Sequence, residues 1–502
     1  MERYDVVVVG AGNGGLVAGT AIAQAGFKTL ILEKHNLPGG CSTSFVRGRF
    51  EFEPSLHELC DSSDNEGDMG MQSIFDRLGV KVPMLHEKNL LRAIVKGEGG
   101  YDVRLRAGYD EFLDSMEEAV PGCRESVKKY LDLMVLLNEA QDYMNNGVPN
   151  PATLMGKYGD FVRAASHSND EIMAGFGIPE KAKNIIDTYW GYLGVPCDDL
   201  NALHYLSMIE AYIKKRPAMP YNRSHELALA LVKAFQSYGG EIRYNSEVTE
   251  FLYNSAGAVI GVKAGGKEIL ARKVVSNIIP NNVFNMSDET KIPKSAVKLA
   301  NARKLGLSFI TAYLGLDASA QELGIEDYSV FICNSPDTRK QYVDRLNFGM
   351  YVVNCLNIAL PGASEEGTSM LFFTLPMMPE DFPADLKAED YKKYKNDYVR
   401  RYIEDYEKTL GINISDHIEE IAIATPVTFA RYLSTPAGNI YAYSNGGWDN
   451  VVLRTVFDNI DKKIPNLSFC GGHGIRGDGF SSAYTTGAMT GEKVIAELRR
   501  EM

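Results

Sequence analysis

Three glycines and one acid, set at fixed distances within the first 33 residues, carry the strongest chemical signal in this chain. The run Asp5-Val6-Val7-Val8-Val9-Gly10-Ala11-Gly12-Asn13-Gly14-Gly15-Leu16 is followed by Leu30-Ile31-Leu32-Glu33. In a G-x-G-x-x-G spacing the first glycine makes a tight turn, the second lets the backbone approach a pyrophosphate, and the third lets a helix pack close to a strand. A helix opening at that turn presents free N–H groups and its positive dipole end to the anion. Glu33 lies 21 residues after Gly12, where a carboxylate accepts hydrogen bonds from adenosine ribose hydroxyls. Asn13 and Gly14 within the turn, and Lys34 after the acid, complete the expected contacts. The chemistry implied is the binding of a dinucleotide.

A second glycine-rich loop, Gly471 to Gly479, follows the strand-like run Leu467-Ser468-Phe469-Cys470 and opens a small-residue helix from about Phe480 to Leu498. Although nearly 460 residues from the first loop, it can set more N–H donors against the same cofactor. Gly472, Gly477, Asp478, Gly479, Phe480 and Ser481 are the expected contacts. Two such loops at opposite chain ends suit a cofactor with both a pyrophosphate and a reactive ring, which favours FAD over NAD. His473 and Arg476, in the same loop, could orient a substrate carboxylate or the flavin pyrimidine. The segment Leu37-Pro38-Gly39-Gly40-Cys41-Ser42-Thr43-Ser44-Phe45 is a loop of small residues that either lines the cofactor or turns at the surface.

The elements that must position these loops read as alternating strands and helices. After the opening strand–turn–helix–strand, Arg49 to Glu53 alternates like a strand. From about residue 70 to 220 the apolar spacing is helical, as in Tyr130-Leu131-Leu133-Met134-Leu137. Its aromatic and methionine residues (Tyr189, Trp190, Tyr192, Tyr205, Met208, Tyr212, Met219, Tyr221) either line an apolar cavity or pack an ordinary core. A helix from Glu226 to Tyr238 leads to strands at 241–244, 248–253, 259–263 and 271–277. Strand-like runs fill 305–375, including Ser308 to Leu314, and a charged helix with a solvated face is expected around 390–410. The expected fold is α/β: a Rossmann-like FAD-binding domain, split over 1–80, 225–285 and 420–502, and a second α+β substrate domain from 81–224 and 286–419.

Composition bounds the function. With 502 residues, 45% hydrophobic and 23% charged, the chain suits two lobes of a globular protein. A net charge of −13 argues against nucleic acid or an anionic membrane surface as the main partner. The seven cysteines (41, 60, 123, 197, 333, 355 and 470) are scattered and lack any C-x-x-C pair, which suits free thiols in a reducing compartment. No metal-ligand pattern and no Walker loop is present in the sequence. With a strand beginning near residue 4, no secretory leader is expected; a cytoplasmic location is, with peripheral membrane contact left open.

These residues resemble the flavin-dependent amine oxidase superfamily and, within it, the phytoene desaturase, carotenoid isomerase and retinol saturase group. Four patches carry the resemblance: the first fingerprint with Glu33; Pro38-Gly39-Gly40 to Phe45 followed by Phe52-Glu53-Pro54-Ser55-Leu56-His57, similar to a family segment F-D-x-G-x-H; Thr425-Pro426-Val427-Thr428 with Arg431-Tyr432, Pro436, Gly438 and Tyr441; and Asn466 to Gly471 with Gly477-Asp478-Gly479 and Thr486-Gly487. The resemblance implies that Gly10, Gly12 and Gly15 meet the pyrophosphate and Glu33 the adenosine ribose, and that Gly39 to Thr43 (with Gly40, Cys41 and Ser42) pass near the ribityl chain and flavin. It also implies that Val248 offers its backbone to adenine, and that Gly477 to Ser481 approach the isoalloxazine and pyrophosphate. Two positions depart from the pattern: Gly472 stands where many relatives carry a ribityl-binding aspartate, and Pro220-Tyr221-Asn222-Arg223-Ser224-His225 replaces a Pro-x-Gly-Gly.

A flavin exchanges a hydride through N5, and the protein positions substrate and moves a proton. His57 is the leading candidate for that proton transfer, since its segment borders the flavin in the resembled family; Tyr441 is a weaker one. The expected activity is an FAD-dependent oxidoreductase that desaturates, saturates or isomerises carbon–carbon double bonds of a hydrophobic polyene or unsaturated lipid. NAD(P)H or another electron partner is left open, as is the oligomeric state. A flavin amine oxidase, and a non-catalytic prenyl-lipid carrier resembling the GDP-dissociation-inhibitor proteins, remain as rivals.

Overall fold

Val6, Val7 and Val8 are wholly buried and Val9 nearly so, because a strand of a parallel sheet carries helices on both faces and reads as an unbroken apolar run. The computed structural model describes residues 2–60, 70–145, 150–450, 454, 464–474, 477 and 479–502. In it the strand Glu2–Val9 pairs in parallel with Thr29–Leu32 on one side and Lys267–Ser276 on the other. Glu241–Arg243 extends the sheet beyond Thr29–Leu32. At the far side Leu467–Phe469 pairs in parallel with Val274 to Ser276. An antiparallel ribbon, Val248–Tyr253 and Val259–Ala264, joins the opposite end of the long strand. The sheet therefore has seven strands among the described residues, and strands from both chain ends flank the same central one.

Two helices lock this arrangement. Asn13–Gln24 starts at the glycine turn, and Phe480–Arg500 closes the chain. They meet at small residues: a Cβ on Gly487 would lie 2.5 Å from the carbonyl oxygen of Gly14, and one on Gly491 would lie 3.1 Å from the Ala21 methyl.

The second sheet runs in the order Ile418–Ala424, Ser308–Leu316, Ser369–Met377, Met350–Cys355, Ser329–Cys333, Asn89–Val95 and Tyr101–Arg106. All its pairings are antiparallel except that of Ser329–Cys333 with Asn89–Val95. Strand alternation sorts the side chains. Ile310, Ala312, Leu371 and Phe373 face the helix Ala388–Leu410, whereas Tyr313 and Phe372 pack toward the dinucleotide-binding layer. Toward the other edge, Phe331 and Val352 on that second face meet the helical segments of residues 109–215.

Three expectations are corrected. Residues 70–220 are not uniformly helical: Asn89–Val95 and Tyr101–Arg106 are strands of the second sheet. Leu90, Leu91, Ala93, Ile94 and Val95 are all buried, and such a short apolar run gives no period by which strand and helix can be told apart. The charged helix, which spans Ala388–Leu410, has more than a solvated face. Tyr398, Tyr402 and Tyr406, four residues apart, are buried, with Tyr402 against Tyr351 and Tyr406 against Phe373. The expected boundary at residue 420 falls inside Ile418–Ala424, a strand of the second sheet. Among the described residues no helix is long and apolar enough to cross a membrane.

Candidate functional site

One continuous cavity of about 1330 Å³ runs from the glycine turn, past the loop that follows Phe52, into the helices of residues 134–215. Ligand pockets measure about 300–1,000 Å³, so this cavity is larger than an ordinary small-molecule site.

The first end of the cavity is a cradle of backbone. Gly10 takes a φ of +96°, reserved in practice for glycine. A Cβ on Gly12 would sit 2.6 Å from the Asn277 amide, one on Gly14 2.5 Å from the backbone of Gly471, and one on Gly15 2.1 Å from the Gly10 carbonyl oxygen. The two glycine loops thus touch, and only hydrogen fits where side chains would stand. Asn277, at the end of Lys267–Ser276, is the hub: its amide lies between the two loops, and its N–H donates to the Val9 carbonyl at 2.9 Å. Gly39 bridges to Gly12 and its N–H donates to Ala11 at 2.8 Å, which brings the small-residue loop to the same place. Glu33 is buried, and its carboxylate accepts the N–H of Ala11 at 2.7 Å and that of His35 at 2.9 Å. Fixed in this way at the cavity wall, it keeps further lone pairs for hydroxyl donors. Helix N–H groups, a glycine floor and a held carboxylate fit the pyrophosphate and ribose of a dinucleotide.

The opposite wall is side chains. Glu53 is buried and accepts the Ser224 N–H at 2.9 Å, the Ser224 hydroxyl at 2.7 Å and the Leu56 N–H at 2.9 Å. It pins the segment 53–58 to the start of the helix Arg223–Ser237. His57, two residues beyond Ser55, places Nε2 3.0 Å from the Thr374 hydroxyl, while its ring lies edge-on to Phe372 and Tyr192. Burial lowers the imidazole to about 4, so His57 is neutral near pH 7 and carries no positive charge. Glu58, beside it, enters a box of tyrosines. Tyr192 donates to its Oε1 at 3.0 Å and Tyr189 at 3.4 Å, and burial pushes the carboxyl up to about 8.

The cavity wall gathers most of the expected residues. Gly10, Gly12, Asn13, Gly14, Glu33 and Lys34 line it, as do Gly39, Gly40, Cys41 and Val248. From the second loop come Gly472, His473, Gly479, Phe480 and Ser481; His57 and Tyr441 complete the set. Four expected contacts lie behind the wall. Gly15 is a packing residue, Ser42 is fully buried and donates to Asn13 at 2.9 Å, Thr43 donates to the Pro38 carbonyl, and Gly477 packs toward Asn445. Arg476 and Asp478 lie outside the described residues. His473 is held near 4 by burial first and the Arg454 charge second, so it offers hydrogen bonding rather than positive charge. Tyr441 packs its ring on Phe309 at 5.1 Å. Of the aromatic and methionine residues named in the helical region, Tyr192, Met208 and Tyr212 reach the cavity. Trp190, Tyr189 and Tyr205 are core, and Tyr221 is exposed. The sequence reading missed Asn277, Glu58 and Thr374. The Ser-Asn after a buried strand was the only trace of the first, and the other two had none.

Comparison with known proteins agrees with this geometry. Residues 8–78 match the model of the NAD(P)-binding Rossmann-like domain. The all-trans-retinol 13,14-reductase of Macaca fascicularis is 23% identical over 94% of this chain and 82% of its own length. The chloroplastic prolycopene isomerase of Daucus carota is 22% identical over 100% of this chain and 81% of its own. The wild-type putrescine oxidase bound to putrescine superposes with a TM-score of 0.62 at 16% identity, covering 98% of this chain and 99% of that one. The chain shares its overall fold with putrescine oxidase and is similar over nearly its whole length to an all-trans-retinol 13,14-reductase and a prolycopene isomerase.

Proposed function

We propose that this protein is an FAD-dependent oxidoreductase acting on carbon–carbon double bonds of a hydrophobic polyene or unsaturated lipid. The observation that carries the reading is the single cavity. Its polar backbone end suits the dinucleotide, and it continues without interruption into a pocket lined by Phe309, Tyr192, Leu203 and Met208. An apolar chain entering there is driven by burial at about 25 cal/mol per Å² and needs no charged partner. Bound FAD would supply two-electron exchange through its N5.

The chain's own residues divide the remaining work. The N–H groups at the start of Asn13–Gln24 receive the pyrophosphate, and Glu33 receives the ribose hydroxyls. Thr374 orients His57, and Phe372 and Tyr192 hold its ring in the wall facing the apolar space. The similarity to retinol reductases and prolycopene isomerases supports polyenes over amines as substrates.

Anaerobic mixing of the reduced protein with all-trans-retinol and other unsaturated lipids tests the reading. Return of the oxidised-flavin absorbance together with loss of one conjugated double bond is expected for saturation. Conversion of a cis polyene without net change in the flavin would mark isomerisation. Peroxide release from amines, with no reaction of any polyene, would select the amine oxidase instead. Absence of flavin and of flavin uptake would favour a lipid carrier.

A further inference from the structure

We propose that Glu58, the neighbour of His57, is the proton donor of the double-bond reaction, a buried carboxyl enclosed by a box of tyrosines. This rests on the double-bond reading above and adds the residue and the direction of proton flow.

The geometry is specific. Glu58 is 4% exposed, lies on the cavity wall, and leaves its Oε2 without a hydrogen-bond partner among the described residues. Its other oxygen accepts from Tyr192 and Tyr189. Tyr212, stacked on Tyr189 at 5.1 Å, directs its hydroxyl to the Glu58 main-chain carbonyl at 3.5 Å. Among the described residues no basic side chain is ion-paired with it. The titratable groups around it are His57 and Cys60 on its own segment, the three tyrosines, Tyr328, and Glu87.

A carboxyl so placed cannot ionise cheaply, because burial disfavours the charge. A buried acid with a free oxygen and no counter-ion is therefore a proton held in reserve. His57, neutral for the same reason, carries no imidazolium proton to donate. In the step, the Glu58 O–H bond breaks and a C–H bond forms at one alkene carbon from the former π pair; bound reduced flavin would supply the hydride to the adjacent carbon. The carboxylate left behind keeps its two tyrosine donors and regains a proton from solvent. A two-electron donor of the reduced nicotinamide class restores the flavin.

Infrared difference spectroscopy across a pH titration, run on the flavin-loaded protein and on E58Q, tests this without relying on turnover. Wild type should show a protonated-carboxyl band with a midpoint near 8, and E58Q should lose it. E58Q should keep its flavin and its affinity for all-trans-retinol, yet lose about 100-fold or more in single-turnover reduction, as expected for a missing general acid. Y192F, which removes a donor to the carboxylate form, should raise the Glu58 midpoint and serves should E58Q fail to fold. A band unaffected by E58Q, a midpoint unmoved by Y192F, or full turnover in flavin-loaded E58Q would overturn the assignment. A wild-type protein devoid of flavin would instead sink the double-bond reading, and the infrared titration would still decide whether Glu58 holds its proton.

Discussion

The two ends of the cavity are built on different principles. The cofactor end is backbone and hydrogen: Gly12, Gly14 and Gly15 leave no room for a methyl, and the acid that completes the cradle is held by main-chain N–H groups. The far wall is made of side chains from distant segments, with His57 and Glu58 meeting Thr374, Tyr192 and Tyr189. The first design tolerates almost no substitution but needs no tuned acidity. The second tolerates more, and its chemistry is set by burial. Variants should therefore fail differently at the two ends.

The largest effect is expected at the cradle. Gly14→Ala puts a methyl 2.5 Å from the backbone of Gly471, where neither partner has a flexible side chain to move. Overpacking of this kind costs about 3 kcal/mol or more. The variant should emerge colourless and melt well below wild type in a thermal scan.

The far wall should reveal itself through pH. Glu58 titrates at about 8 when folded and near about 4.3 when unfolded. The folded state thus holds more protons across that window, and this contribution to stability is complete below about pH 4.3 and is lost as pH rises toward 8. His57 and His473, near 4 when folded against about 6.5 unfolded, act oppositely: their contribution is complete above about pH 6.5 and is lost as pH falls toward 4. The Glu58 share declines by about 1.4 kcal/mol per unit near pH 6.5 and by about half that near pH 8. Denaturant midpoints for E58Q should fall less steeply over that range than those of wild type.

Smaller effects sharpen the contrast. Ser224→Ala deletes a 2.7 Å hydrogen bond to buried Glu53 and should cost about 1–3 kcal/mol by urea unfolding, with flavin retained. Thr374→Val frees the Nε2 of His57 and should cost about 1 kcal/mol. It should slow turnover several-fold while leaving the flavin spectrum untouched.

The same contrast explains what the sequence could disclose. Gly10 to Gly15 and Glu33 act within one strand–turn–helix–strand unit, so their spacing alone encodes the geometry, and the touching of the two glycine loops followed from finding both. Strands such as Val248–Tyr253 kept the expected bounds because their apolar pattern is local. Asn89–Val95 hid because it is buried on both faces. Glu58 was invisible for a deeper reason: its acidity depends on Tyr189 and Tyr192, more than 130 residues away, and no local pattern records that meeting. Asn277 likewise draws its importance from Gly12 and Gly471, which only the folded sheet brings to it.

The most direct test of the central claim is the visible spectrum of the protein purified under native conditions, followed by denaturation and mass measurement of what is released. A flavin absorbance band with near-stoichiometric release of FAD, lost in Gly14→Ala, is the expected result. A colourless protein that also fails to take up added FAD would contradict the account.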